Sequence, residues 1–109
     1  MNIFTMENID KHNIASIIEQ ALHTLRNVEH LHVSFDVDAL DPLIAPGVGT
    51  PVRGGLDYRE AHYIMEAIAA SGRMSSMEIV EVNPILDVRN QSAELAVELA
   101  LSAFGKRIL

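Results

Sequence analysis

The chain contains no cysteine among its 109 residues. This absence excludes disulfides, zinc ribbons, Fe–S clusters and thiol catalysis, and it fits a reducing compartment. Any metal ion would have to be held by carboxylate, imidazole or carbonyl groups. The length predicts a single unit over residues 1–109, because it leaves no room for two independent cores.

Basic residues are few, and long apolar runs are missing. Eight Lys and Arg oppose fifteen Asp and Glu, which gives a net charge of −7. Such a surface repels phosphate backbones and anionic lipids, so neither nucleic acid nor a membrane is an expected partner. No stretch approaches about 18 uninterrupted apolar residues, and residues 1–7 carry no basic signal-peptide region. We therefore expect a soluble, cytoplasmic protein.

The remaining composition is that of a globular protein. Hydrophobic residues make up 49% of the chain, and glycine and proline number only six and four. The mean hydropathy of +0.17 is high for a short acidic chain, which has much surface to cover with polar groups. Part of the apolar surface is therefore expected to need a partner, and we expect the isolated chain to self-associate.

Apolar periodicity and breakers predict alternating strands and helices. The predicted order is strand 3–6, helix 9–26, strand 31–37, loop 44–56, helix 58–71, strand 77–82 and helix 91–104. This alternation predicts an α/β fold in which right-handed crossovers build a parallel sheet with helices on both faces. Ligands of such sheets bind outside the carboxyl ends of the strands.

Polar side chains predict where the helices begin and end. The first helix has Asn8 or Asp10 as a possible N-cap, and the last has Asn90 or Ser92. The middle helix has the clearest signals, a capping box of Asp57 and Glu60 and a left-handed terminator at Gly72.

Two aspartates stand where the second predicted strand ends. Strand alternation is expected to place Asp36 and Asp38 on one face together with His32 and Ser34. Two bare carboxylates would repel each other unless a cation lay between them, and oxygen ligands suit Mg²⁺, Ca²⁺ or Mn²⁺. One aspartate bridging two ions is the geometry of two-metal hydrolases. The alternative is that these aspartates only cap the following loop and helix.

Two further protein classes that contain an Asp-x-Asp sequence match the chain less well. An EF-hand loop beginning at Asp36 would need an oxygen ligand, Gly and Glu where the chain has Leu40, Asp41 and Gly47. A haloacid-dehalogenase-type phosphatase would need a nearby Thr and a downstream acidic pair, which the sequence lacks, so it stays a weak alternative. The Gly47 loop also lacks the Gly-Lys-Ser/Thr of a phosphate loop, which disfavours nucleotide binding.

A third carboxylate and the histidines complete the set of polar candidates. Glu81 ends the third predicted strand on the same carboxyl edge and could bind a guanidinium or ammonium group. Pairing with an Arg, or capping the Asn83-Pro84 turn, accounts for it equally well. His32 is interpreted as a core histidine, with hydrogen bonding to a metal ligand as the alternative. The remaining helical histidines are expected at the surface: His12, His23 and His62.

The motifs together resemble the ureohydrolase family. Residues 34–42 read Ser-Phe-Asp-Val-Asp-Ala-Leu-Asp-Pro, residues 45–52 read Ala-Pro-Gly-Val-Gly-Thr-Pro-Val, and Gly54-Gly55 follows. The Glu-Val-Asn-Pro sequence at 81–84 is similar to the arginase branch, because agmatinase-like members depart from Val-Asn-Pro there. The resemblance covers nearly the whole chain.

This resemblance implies a function and roles for individual residues. The implied reaction is manganese-dependent hydrolysis of the guanidino substrate L-arginine to L-ornithine and urea by metal-activated hydroxide. Asp36 would bridge two manganese ions and Asp38 would bind one of them, while Thr50 and Glu81 would line the substrate pocket. The Arg59-Glu60 pair resembles one that the family uses near subunit contacts, so a homo-oligomer is expected.

The same resemblance implies that a single chain of this length lacks part of the site. Family members are far longer, and an upstream segment supplies metal-binding His, an Asp-x-His-x-Asp run and a His proton shuttle, none of which has a match here. We therefore expect the chain to correspond to a C-terminal portion without a complete catalytic set. The alternatives are an agmatinase-type ureohydrolase, or a catalytically silent fragment or oligomerisation module.

Overall fold

The computed structural model describes residues 1–108 and contains three helices and two strands in that range. A short 3₁₀ turn, Val37–Ala39, follows the first strand. The remaining elements, in chain order, are α1 (Met6–Thr24), β1 (Leu31–Asp36), α2 (Tyr58–Ser71), β2 (Met74–Val80) and α3 (Gln91–Ala103). The α/β class is confirmed, with α2 as the crossover between two parallel strands.

The N-terminal strand predicted at 3–6 is wrong, because Thr5 starts a helix there. The Asn8 backbone N–H donates to the Thr5 Oγ1 at 3.3 Å, and the Thr5 N–H donates to the Asn8 Oδ1 at 2.7 Å. This reciprocal pair satisfies two otherwise free N–H donors at the start of α1. The stabilisation from this cap exceeds the strand preference of the short apolar run at 3–6. The caps predicted at Asn8 and Asp10 are wrong as well. The helix kinks at Asn13, whose φ is 62°.

The two strands pair in parallel, with Asp36 opposite Val80 at their carboxyl ends. The strand β1 ends at Asp36, one residue before the end of its predicted range, 31–37. The second begins at Met74 instead of residue 77 and ends at Val80. One sheet face packs Phe35 into the core, whereas His32 and Ser34 on the other face are exposed to solvent.

The prediction for α2 is confirmed in full, from Tyr58 to Ser71. Asp57 and Glu60 form the capping box, and Gly72 ends the helix with φ 65°. For α3, the range Gln91–Ala103 is one residue shorter than predicted, and the N-cap residue is Asn90, one of the two predicted candidates. Asn90 has φ 62° and makes no side-chain cap.

The core lies between β1, the loop that follows it, α2 and α3. Its largest fully buried apolar members are Val37, Leu40, Val48, Met65 and Leu99. Within residues 1–108, no helix is both long and apolar enough to cross a membrane.

His62, expected at the surface, is fully buried. Its Nδ1 lies 2.8 Å from the buried Ser102 Oγ, so a bond between α2 and α3 accounts for a histidine in the core. His12 and His23 are exposed, as predicted.

Candidate functional site

Asp36 is the last residue of β1, and the chain turns immediately after it. The Asp36 Oδ1 accepts a hydrogen bond from the Asp38 N–H at 2.8 Å and so caps the 3₁₀ turn Val37–Ala39. The prediction that strand alternation places Asp38 on the same face as Asp36 is therefore wrong, because Asp38 lies in the turn and not in the strand. The capping role that the sequence left open is correct for Asp36. The turn still keeps both aspartates at the carboxyl end of β1.

Asp38 has one oxygen bonded and one left without a partner. The Thr50 hydroxyl donates to the Asp38 Oδ2, while the Asp38 Oδ1 is buried and accepts no hydrogen bond within residues 1–108. A buried carboxylate oxygen without a partner costs about 1–3 kcal/mol or more. Coordination of a cation would satisfy this oxygen, and a pair of carboxylates is a donor set that suits Mn²⁺.

The two aspartates would be an incomplete set of metal ligands by themselves. Within the described part of the chain, no group of three or more His, Cys, Asp and Glu side chains is arranged to hold a metal ion. The residues present therefore fit a manganese ion as contributors of two carboxylates. Further ligands would have to come from water or from other protein groups.

The loop between the turn and α2 is closed at its base by Asp41, which sequence reasoning did not assign to the site. Its Oδ1 accepts from the Leu43 N–H at 2.9 Å, and its Oδ2 accepts from the Gly54 N–H at 3.0 Å. These two donors hold the pKa of Asp41 below its ordinary value. The Asp41-Pro42 pair was a turn signal in the sequence, but the partner Gly54 is too distant for local rules to identify.

Gly55 lets the two ends of this loop approach each other. A Cβ at Gly55 would lie 2.6–2.7 Å from backbone atoms of residues 39–41, which cannot move aside. The Leu56 N–H donates to the Ala39 carbonyl at 2.8 Å, and the Asp41 N–H donates to the Leu56 carbonyl at 3.0 Å. The loop that carries Thr50 therefore starts and ends beside Asp38.

Glu81 follows β2 directly and is exposed. Its φ of 70° is unusual for a residue with a side chain, and such backbone strain clusters at functional sites. Among the described residues, its carboxylate takes part in no hydrogen bond or ion pair. The Asn83 Oδ1 accepts from the Ile85 N–H at 3.1 Å, so Asn83 stabilises the turn that Glu81 was alternatively expected to cap. Because Val80 pairs with Asp36, Glu81 leaves the sheet at the same edge as the aspartates.

His32 and Ser34 lie on the exposed face of the sheet and do not contact the aspartates. The His32 Nδ1 lies 2.7 Å from the Ser76 Oγ, and the Ser34 hydroxyl donates to the Glu78 Oε1 at 2.8 Å. The interpretation of His32 as a core histidine is wrong, because its side chain is 51% exposed. In the described chain both residues bridge β1 to β2.

Arg59 and Glu60, which are expected near a subunit contact, lie in different environments. The Glu60 carboxylate accepts from the Asp57 N–H at 3.0 Å and completes the cap of α2, whereas Arg59 is exposed. A contact between subunits stays a prediction for both residues.

A polar cluster around the buried His62, away from this edge, joins α2 to α3 and was not predicted. The His62 Nε2 lacks a hydrogen-bond partner within residues 1–108 and lies 3.8 Å from the Glu98 Oε2, which accepts from the Tyr58 hydroxyl at 3.0 Å. Burial lowers the pKa of His62, although the carboxylates of Glu98 and Glu66 oppose this shift. The helical spacing gave no signal, because a histidine fits either face of an amphipathic helix.

A parallel sheet with acidic side chains and a glycine-rich loop at its carboxyl edge defines the chain as an arginase-like α/β protein. The sequence profile described as "Arginase family" matches residues 1–105. The chain belongs to the arginase family.

The similarity to individual members is high but covers only part of each. The arginase of Staphylococcus aureus (strain COL) is 51% identical over 108 residues, which are 97% of this chain and 36% of that protein. The crystal structure of arginase from Bacillus subtilis has a TM-score of 0.97 at 48% identity and covers 100% of this chain and 39% of that one. A hypothetical agmatinase from Burkholderia thailandensis has a TM-score of 0.83 at 28% identity, with 95% and 32% covered. The chain spans about 37% of the length of its curated arginase relatives and is similar to their C-terminal portion.

Proposed function

We propose that this chain provides part of the active site of a manganese-dependent arginase, which hydrolyses L-arginine to L-ornithine and urea. The observation that carries the proposal is the buried, unpartnered Oδ1 of Asp38 beside Asp36 at the carboxyl edge of the sheet. Identities of 48–51% to the arginases of Bacillus subtilis and Staphylococcus aureus, against 28% to a hypothetical agmatinase, support arginine rather than agmatine as the substrate.

Each residue at this edge has a chemical task in the proposal. Asp36 and Asp38 would hold manganese, which when bound supplies activation of the attacking water. The Thr50 hydroxyl orients the Asp38 carboxylate by donating to its Oδ2. The free, exposed Glu81 carboxylate binds the guanidinium group through charge-assisted hydrogen bonds and orients it toward the aspartates.

The activity is proposed for the chain together with the rest of an arginase. Two carboxylates leave most coordination positions of a metal ion to other ligands, so the isolated chain is expected to bind manganese weakly and to release no urea. The test therefore uses a graft, in which residues 1–108 replace the matching segment of Bacillus subtilis arginase.

The unmodified graft is expected to bind manganese and to release urea from L-arginine faster than from agmatine. Asp38→Asn in the graft removes a charged ligand, and we expect urea release to fall by at least about a hundredfold, as for other losses around metal sites. Bound manganese, measured by atomic absorption, is expected to fall as well.

Asp57→Asn is the matched control, because Asp57 caps α2 and accepts from the Glu60 N–H at 2.7 Å away from the aspartate pair. It is expected to retain both manganese and activity. A folded graft that turns over arginine normally with Asn at position 38 would contradict the proposal, and preference for agmatine would favour the agmatinase alternative.

A further inference from the structure

The tip of the loop that carries Thr50 is tied to two later segments of the chain through Gly47. The Gly47 N–H donates to the Ser92 Oγ at 2.7 Å, and the Gly47 carbonyl accepts from the Asn83 N–H at 2.7 Å. The next residue, Val48, forms an isolated antiparallel bridge with Val82. We call the contacts among Gly47, Asn83 and Ser92 the Gly47 junction.

Asp87 fixes the position of Ser92 at this junction. Its carboxylate accepts from the Ser92 N–H at 3.0 Å and from the Ala93 N–H at 3.2 Å, which satisfies donors that open the first turn of α3. Burial raises the pKa of Asp87, but hydrogen bonds from the N–H and hydroxyl of Ser92 and from the N–H groups of Ala93 and Val88 outweigh it and leave the pKa below its ordinary value. The carboxylate is therefore ionised at neutral pH and acts as the cap that Asn90 does not provide.

The junction also requires glycine at position 47. A Cβ there would lie 2.5–2.8 Å from the Asp87 side chain, which is closer than real Cβ contacts occur. Both Gly47 and Ser92 are buried, so their hydrogen bond is shielded from water. Removal of the serine oxygen would leave a buried N–H unpaired, and the loop tip would have to move to find another acceptor.

The two residues proposed to line the substrate pocket lie on either side of this junction. Thr50 follows Gly47 closely along the loop, and Glu81 precedes Asn83 closely at the end of β2. We propose that Ser92 and Asp87 are positioning residues, which set the placement of Thr50 relative to Glu81 through the Gly47 junction and thereby the affinity for the guanidino substrate. This inference rests on the proposed function of the two pocket residues.

The test compares Ser92→Ala with Ser102→Ala in the graft into Bacillus subtilis arginase. Both serines lie in α3, both are at most 1% exposed, and their Oγ atoms make bonds of 2.7 and 2.8 Å. Only Ser92 contacts the loop, since the partner of Ser102 is His62 in α2. The two variants are expected to lower the melting temperature similarly, so a structural loss alone cannot separate them.

The kinetic constants are expected to separate them. Ser92→Ala should raise KM for L-arginine about tenfold with a smaller change in kcat, because it misplaces binding groups without removing a metal ligand. Ser102→Ala should leave KM within about twofold of the unmodified graft. Ser92→Thr retains the hydroxyl and should recover most of the lost affinity. Gly47→Ala perturbs the junction from its other side and provides the same test if Ser92→Ala does not fold.

The outcomes distinguish the two proposals. An active graft in which Ser92→Ala leaves KM unchanged, or in which both alanine variants change KM equally, overturns the role of the junction and leaves the proposed function intact. A folded, manganese-supplied graft without arginase activity overturns the proposed function and the junction's role with it.

Discussion

The Asp38 Oδ1 and the His62 Nε2 are both buried without a hydrogen bond within residues 1–108. For Asp38, a bound cation would satisfy the unpartnered oxygen, because carboxylate oxygens are good ligands for ions such as Mn²⁺. For His62, loss of the proton reduces the cost of burial, because a neutral imidazole loses less hydration on burial than a charged one.

The buried histidine predicts how stability depends on pH. Because the pKa of His62 is lower in the folded chain than in the unfolded chain, the unfolded chain binds the proton first as the pH falls below about 6.5. The contribution of His62 to the free energy of unfolding is therefore fully present above this pH, and it declines as the pH falls toward the pKa of His62 in the folded chain. Melting temperatures measured from pH 8 to pH 5 should fall more steeply for the wild-type chain than for His62→Gln.

His12→Gln is the control for this prediction, since His12 is exposed. It should follow the wild-type curve. Identical pH profiles for the wild-type chain and His62→Gln would show that Glu98 and Glu66 fully compensate the burial.

At the scale of the helices and strands, the sequence predicts those element limits that are set by side chains within one turn. The limits of α2 follow from Asp57, Glu60 and Gly72, which act within one turn of the residues they affect. The apolar run at 3–6 suggests a strand, because no local rule tells whether its strand preference or the capping of a helix by Thr5 is stronger. The start of β2 at Met74 depends on pairing with β1, which periodicity does not contain.

The residues of the candidate site also divide into those that sequence motifs identify and those whose role depends on tertiary contacts. Its aspartates, Thr50 and Glu81 were identified from motifs, and the structure brings Thr50 onto Asp38. The role of Asp41 depends on the Gly54 N–H, which the folded loop brings near from 13 positions away. The burial of His62 depends on α3, which begins 29 positions later along the chain. Sequence spacing predicts none of these tertiary contacts.

The capping pair at the start of α1 predicts a measurable contribution to stability. Thr5→Ala removes the oxygen that accepts the Asn8 N–H, and loss of an N-cap costs about 1 kcal/mol. Thr5→Ser keeps this acceptor and should lose little or no stability, because serine is at least as good an N-cap as threonine. Urea unfolding of the two variants measures the difference. Equal stability of the alanine and serine variants would mean that α1 frays at this end in the wild-type chain as well.

The whole molecule exposes many large apolar side chains among the described residues. The largest exposed fractions in loops are those of Ile85 and Leu43, at 92% and 87%. On α3 and at its C-cap, the exposed apolar residues Val97, Leu101 and Phe104 follow helical spacing. Burying such side chains is favourable by about 25 cal/mol per Å² of apolar surface removed from water, which favours association despite the charge of −7.

We expect the isolated chain to self-associate in a concentration-dependent manner. Multi-angle light scattering should give a mean mass above 12.0 kDa that rises with concentration. Phe104→Lys introduces a charge at a side chain that is 76% exposed, so it should reduce association without loss of core packing. A monomer at all concentrations would contradict this expectation.

The separation of paired segments along the chain has a consequence for the order of folding. The Gly47 N–H and its acceptor on Ser92 are 45 residues apart, so the loop tip cannot be fixed until α3 has been synthesised. Contacts between distant residues carry a large entropic cost of loop closure and form slowly. During synthesis β1 must therefore wait for β2, and the loop must wait longer still. The segment that brings Thr50 to Asp38 is thus expected to be among the last to reach its native conformation, so a nascent chain assembles the edge that carries Asp36 and Asp38 only near the end of folding.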